Sequence, residues 1–341
     1  MRNLLWLMPN KTYKFSGVYK YNDELINLLK DKKKIKILYC GKSNILFNIF
    51  WSKFFLIPFF LFFFSRNYDE IIYPEEGFAF LKFFSFAKKN KIIIHDYRKK
   101  FSDNNKIQRI ETLKQIYLNF NFLFLKGFDK IITPSIFTQK LLSRNFLNIK
   151  KKIKVIPNII DVERKKTKVT RSKFKHSDKI KKKFKIIITV TSKETRKNIK
   201  LIYRLAKKTV NIKFILIGNF KDNEKKKNIF FYKNLSEDDL AYLFEISDMY
   251  LHPSLFEGFG RTLIEAQNFG IPVVCYNTEI NKEILGSSGN YLNLNLSDHQ
   301  IINYILKKKY KKNEKNEILK NSKRYSKEYI KKKFIKNINE I

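Results

Sequence analysis

The 341-residue chain is short of the residues that punctuate and cross-link proteins, with ten glycines, seven prolines, four histidines and two cysteines. Cys40 and Cys275 each close an apolar run, lie far apart and form no C-x-x-C pair. That spacing speaks against a disulfide framework or a thiolate metal site and leaves two buried free thiols as the expectation. Carboxylates are scarce, 31 against 71 lysines and arginines, for a formal charge of +40. Only eleven of those cations are arginine. A dedicated nucleic-acid binder clusters its cations on one face or motif, often as arginine. Here lysines run through nearly every helix and loop, so no nucleic-acid partner is expected. The lysines read as solvated faces, with attraction to anionic lipid headgroups or phosphorylated substrates as the second reading. At 44% hydrophobic and 16% aromatic residues the chain is no disordered polyelectrolyte. "MRNLLWLMPNK" has an apolar run too short for a signal peptide and reads as a first strand. The sequence contains no D-x-D triplet.

Short apolar, β-rich runs alternate with longer helical patterns, as in parallel α/β units. Strands are expected at 4–8, 35–39, 70–73, 91–95, 130–133 and 153–156, then at 186–190, 213–218, 229–232, 248–252 and 271–276. A lysine-rich stretch with little periodicity separates the two series. This predicts an α/β chain with two doubly wound parallel sheets: a first domain over 1–165, a basic linker over 166–184 and a second domain over 185–320. A basic helix over 321–341, returning to the first domain, completes the expected organisation.

The segment "ILFNIFWSKFFLIPFFLFFF" (45–64) is apolar all round. Its length permits a membrane span, but Lys53 and Pro58 interrupt it, and a span would put the strands at 35–39 and 70–73 on opposite sides of a bilayer. Interfacial contact with an anionic membrane, a buried helix and a true span are the three readings, the first favoured.

One stretch concentrates the scarce residues. "HPSLFEGFGRTLIEAQNFGIPVV" (252–274) holds three glycines, two prolines and two glutamates in a strand-loop-helix-strand unit. In open α/β sheets ligands bind beyond the carboxyl ends of strands, where this loop falls. Gly258 and Gly260 remove side chains where a ligand would approach the backbone. Amides at the start of the following helix, near Arg261 and Thr262, suit phosphate. Glu257 and Glu265 flank that helix start, and a carboxylate can hold two vicinal hydroxyls. Phosphates between two hydroxyl-binding carboxylates describe a nucleotide sugar. A plainer reading of "TLIE" (262–265) is a capping box, with Glu265 reaching back to the helix N-terminus.

Pro253, Ser254, Glu257, Gly258, Phe259, Gly260, Glu265, Ala266, Gly270, Pro272 and Val273 together resemble the E-x7-E motif of the family-4 retaining glycosyltransferases of the GT-B fold. "SGVYKYNDELINLL" (16–29) is similar to that family's glycine loop, "IIIHDYR" (92–98) to its His-Asp strand end, and "VIPNIIDVERK" (155–165) to its interdomain segment. The resemblance implies two Rossmann-like domains facing across a cleft, acceptor in the first and nucleotide-sugar donor in the second. It implies that Glu257 binds hydroxyls of the transferred sugar, Glu265 the ribose, and the backbone from Gly258 through Phe259 and Gly260 to Arg261 and Thr262 the sugar and diphosphate. Gly17 would meet the donor from the first domain. Where the family has G-R-x-x-x-x-K, this chain has Thr191 for the glycine, Ser192 for the arginine and a matching Lys197. Lys197, helped by Arg196, Lys193 or Arg261, would then neutralise the leaving diphosphate. His95, a lone histidine that elsewhere would be read as structural, would face the donor.

The function implied is transfer of a hexose to a glycan or lipid-linked acceptor in surface polysaccharide or lipopolysaccharide-type synthesis, at the cytoplasmic face of the membrane, without metal or other cofactor. A nucleotide-sugar epimerase on the same fold and a non-catalytic basic membrane-associated protein are the alternatives.

Overall fold

The computed structural model describes residues 3–13, 16–41, 46–97, 109–160, 184–220 and 227–340. They form two compact units, Met1–Ile159 with Ile330–Ile341, and Ile160–Tyr329. Of the expected linker, only residue 184 falls among the described residues.

The first unit is built on six parallel strands, β1 (Asn3–Met8), β2 (Lys34–Tyr39), β3 (Glu70–Tyr73), β4 (Lys89–Ile93), β5 (Lys130–Thr133) and β6 (Ile153–Val155), in the order β2-β1-β3-β4-β5-β6. Side chains alternate across the sheet. Leu5, Leu7, Ile71, Tyr73 and Ile92 enter one core, while Leu4, Trp6, Met8, Ile72 and Ile93 enter the other. Burial on both faces explains why these strands read as continuous apolar runs. The helix Gly17–Leu29 covers the second face through Tyr21, Leu25 and Leu29, and Ile330 and Ile338 from the C-terminal segment join that core. One charge cluster is buried in the sheet: Glu70 pairs with Lys33 and, at 3.0 Å, with Lys91.

The 46–64 segment is one helical rod with a π turn at Ser52–Leu56, where the Ile57 amide reaches back five residues to the Ser52 carbonyl. Pro58, which has no amide to offer, follows that turn, and the wider turn relieves the ladder there. Ile57 and Leu61 are buried in the core with Leu5 and Ile71, so this side of the rod is part of the unit. The phenylalanines of the other side are exposed, so the helix is not wholly buried, and by length and composition Phe47–Asn67 is apolar enough to cross a membrane.

The second unit holds β7 (Lys185–Val190), β8 (Ile212–Ile217), β9 (Ile229–Tyr232), β10 (Met249–His252), β11 (Val273–Tyr276) and β12 (Gly289–Leu292), all parallel, in the order β12-β11-β10-β7-β8-β9. All eleven expected strands are present, with ends shifted by at most two residues. β12 was not foreseen. "GNYL" has two poor strand formers among four residues and takes its strand form by pairing with β11 at the sheet edge. Cys40 and Cys275 are buried free thiols, pushed by burial up to about 11 and about 12.

Candidate active site

In the second unit the strand order reverses between β7 and β10, the position where open α/β sheets bind ligands. The segments leaving these two strands meet there. β7 runs through Thr191 and Ser192 to a 3-10 turn, Thr195–Lys197, and β10 runs into Pro253–Gly260. The Leu255 amide donates to the Arg196 carbonyl at 2.8 Å and ties the two segments together.

Glu257 is the centre of the site, only 7% exposed. Its Oε1 accepts from Lys197 Nζ at 2.6 Å and its Oε2 from Arg196 Nη1 at 2.8 Å. Arg196 also donates to Glu194 Oε2 at 2.7 Å and to the Phe256 carbonyl. Burial alone would raise the Glu257 carboxyl. The charges of Lys197 and Arg196 outweigh it and hold the group at about 2, so it is a carboxylate at neutral pH. His252, the last residue of β10, is buried with Nε2 3.5 Å from Glu257 Oε1 and without a hydrogen-bond partner among the described residues. Burial pushes its imidazole down to about 4, which leaves it neutral.

The helix after the loop spans Arg261–Asn268 and is capped by Gly260 at φ 83°, a left-handed conformation that suits glycine. A side chain there would also strike Leu263, 2.7 Å from the added Cβ. Phe259 is buried with its ring edge-on to Tyr325. The capping box expected at Thr262 is absent: Thr262 Oγ1 accepts from Tyr250 Oη at 2.8 Å, and Glu265 Oε1 accepts from Arg261 Nε at 2.8 Å. Ser192 donates to Glu194 Oε1 at 3.3 Å, and Lys193 lies over the Phe220 ring. The structure thus gathers Glu257, Lys197 and Arg196 into one cluster, with Gly258, Gly260, Arg261 and Glu265 on the loop and helix that continue from it. Glu257 has Lys197 and Arg196 as partners, and Glu265 has Arg261.

His95 and Gly17 belong to the first unit. Gly17 opens the helix Gly17–Leu29, with Ser16 as its cap, and faces open space. A cavity of about 240 Å³ lies where that unit's strand order reverses, between β1 and β3, lined among others by Asn10, Ser16, Lys53 and Glu75. β4 ends at Ile93, so His95 stands just beyond the strand and not at its last residue as expected. Its Nε2 lies 2.9 Å from the Pro74 carbonyl, and its ring stands edge-on to Tyr21. Burial lowers its pKa, consistent with a neutral ring donating to that carbonyl. Its backbone amide donates to Glu76 Oε2 at 3.2 Å. Burial, with Asp96 and Glu75 nearby, pushes the Glu76 carboxyl up to about 8.

Sequence reasoning passed over His252, Glu194 and Glu76. His252 directly precedes the Pro-Ser pair of the motif, a usable signal. Nothing local marks Glu76, whose character comes from burial.

A doubly wound sheet carrying a charged cluster at its reversal defines an open α/β domain with polar groups where such sheets bind ligands. Residues 170–325, nearly the whole second unit, match the family model "Glycosyl transferases group 1". The fold is GT-B. HepE from Anabaena, solved in complex with UDP and glucose, superposes with a TM-score of 0.74 at 16% identity over 100% of both chains. WaaG, described as a glycosyltransferase involved in lipopolysaccharide biosynthesis, superposes at 0.67 and 12% identity over 99% of both. The O-antigen chain mannosyltransferase B of Escherichia coli is 40% identical over 53 residues, 16% of this chain. An uncharacterized protein of the cps region of Klebsiella pneumoniae is 25% identical over 191 residues, 54% of this chain. The matches span 14% and 53% of these two relatives.

Proposed function

We propose that the chain is a retaining glycosyltransferase that moves a hexose from a nucleotide-diphosphate sugar to a glycan or lipid-linked acceptor in surface polysaccharide or lipopolysaccharide-type synthesis. The observation that carries this is the buried carboxylate of Glu257 held between Lys197 and Arg196 at the sheet's reversal. A carboxylate and two cations in one place are what a sugar hydroxyl group and a diphosphate need. The mannosyltransferase relative and the neighbour solved with UDP and glucose support a hexose donor.

Donor entry redistributes these charges. The diphosphate draws Lys197 and Arg196, and the Glu257 oxygens they release accept from sugar hydroxyls. Glu265 takes the ribose hydroxyls, and amides at the start of Arg261–Asn268 complete the phosphate site. As the glycosidic bond breaks, charge grows on the leaving diphosphate and positive character on the sugar ring. The acceptor attacks from the side the diphosphate leaves, and a departing phosphate oxygen takes its proton, so no protein nucleophile is needed. Two side-chain cations and a helix start answer the growing charge, which supports a metal-independent reaction.

Thermal-shift measurements against UDP-, GDP- and ADP-sugars test the reading, since a ligand that binds only the folded state raises its stability. One donor class should raise the unfolding midpoint, and Glu265→Ala should reduce the rise at the same donor concentration. No response to any of them would overturn the donor site. Turnover of donor without acceptor into an epimer would favour the epimerase reading.

A further inference from the structure

The exposed apolar residues of the first unit are not scattered. They form a continuous surface drawn from three elements. The rod 46–64 presents Phe47, Trp51, Phe55, Phe59 and Phe62 outward, with Phe59 62% exposed. The helix Arg109–Phe122 and the turn that follows present Leu113, Ile116, Phe120 and Leu123 at helical spacing, with Leu123 72% exposed. Between them, Phe83 and Phe86 stand out at and just beyond the end of the 3-10 segment Glu76–Phe84. Packing joins the three. Phe54 stacks on Phe80 at 5.3 Å and meets Tyr117 edge-on at 6.2 Å, and Phe62 meets Phe86 at 5.6 Å.

The stretches that carry these side chains, 46–67, 80–88 and 113–126, contain no Asp or Glu and carry Lys53, Arg66, Lys82, Lys88, Lys114 and Lys126. Glu76 and Glu111 lie at the far ends of the 3-10 segment and the helix, and Lys88 pairs with Asp69. Lys53, the charge that counted against a span, lies over the Phe78 ring at 4.1 Å. Arg66 lies over the Phe86 ring at 4.9 Å, a cation set beside the apolar face.

We infer that this surface docks on an anionic lipid bilayer, with the two aromatic-aliphatic ridges in the boundary between headgroups and acyl chains and the cations in the headgroup layer. A second copy would bring the same cations against each other, whereas anionic headgroups match the cations and acyl chains match the ridges. The contact is interfacial, because the opposite side of the rod is built into the unit's core through Ile57 and Leu61. The rod also brings Ile49 and Lys53 to the wall of the 240 Å³ cavity, so the docked surface adjoins that cavity.

The test is sedimentation of the full chain with vesicles of equimolar phosphatidylglycerol and phosphatidylcholine. The chain should pellet, and vesicles of phosphatidylcholine alone should hold it about tenfold less well or worse. Two paired variants, Phe59→Ser with Phe63→Ser and Leu113→Ser with Phe120→Ser, should each lower partitioning about tenfold or more. All four side chains are exposed, so the unfolding midpoint should hold. Trp51 is the exposed member of the two tryptophans, and its emission should shift to the blue on vesicles while buried Trp6 stays silent. A chain that remains in the supernatant overturns the inference. So does partitioning unchanged in both paired variants, equal binding to neutral vesicles, or a stable dimer that both pairs dissolve in the absence of lipid.

Discussion

Lys197 Nζ stands 2.6 Å from Glu257 Oε1, although the two residues leave different strands on either side of the sheet's reversal. The pair holds together the two segments that leave these strands. Under the proposed function, stability and catalysis share these atoms.

Replacing Glu257 by alanine should lower transfer about 10²–10³-fold or more and also destabilise the second unit by about 2–3 kcal/mol, because two largely buried cations lose their partner. The double variant Glu257→Ala with Lys197→Ala should be more stable than the sum of the single effects, by about 0.5–3 kcal/mol in denaturant titrations. Strict additivity would show that the pair is not coupled.

The low pKa of Glu257 predicts acid sensitivity. Its folded value, about 2, lies below the ordinary carboxylate value of 4.5, so the stability it contributes is present above 4.5 and lost as pH falls toward 2. That contribution amounts to at most about 3 kcal/mol. Unfolding free energies measured from pH 6 downward, roughly to the acid limit of folding, should fall less steeply in Glu257→Gln than in the parent chain.

Glu76 gives the opposite sign. Its folded value, about 8, lies above 4.5, so the folded chain holds a proton there that the unfolded chain releases, and stability falls as pH rises from 4.5 through 8. Glu76→Gln, which keeps a neutral side chain of the same shape, should raise the unfolding midpoint at alkaline pH by a few degrees or about 1 kcal/mol and change it little near pH 5. An equal change at both ends would show that Glu76 does not titrate in this way.

Glu265 should separate binding from folding. Its pair with Arg261 is partly exposed, so Glu265→Ala should cost about 0–1 kcal/mol of stability. Loss of a charge-assisted hydrogen bond to ribose should weaken nucleotide binding about tenfold to a hundredfold by calorimetry.

Chelation tests the charge inventory. Transfer should proceed unchanged in EDTA. Loss of activity with recovery on adding Mn²⁺ would show that Lys197, Arg196 and the helix start do not suffice for the leaving diphosphate.

The sheets were legible because parallel strands buried on both faces leave uninterrupted apolar runs, as "IIITV" and "KFILIG" do in β7 and β8. β12 left no such trace, since its four residues owe their conformation to a neighbour strand. The glycosyltransferase-like loop was legible because Gly258, Gly260 and two glutamates stand close together in the chain. The capping box at Thr262 was a reasonable local reading that tertiary packing displaced, because Tyr250 claims the threonine hydroxyl and Arg261 the glutamate.

What the sequence by itself determined was the class of fold, the doubling of the sheet and the loop that carries the two glutamates, since all of these rest on local composition and spacing. Only the tertiary structure decided that Glu257 faces Arg196 and Lys197, sixty-one and sixty residues away, that burial and nearby carboxylates raise the Glu76 carboxyl, and which side of the 46–64 rod is exposed. Those outcomes depend on desolvation and on charges brought close by folding, and neither is written in any one stretch of chain.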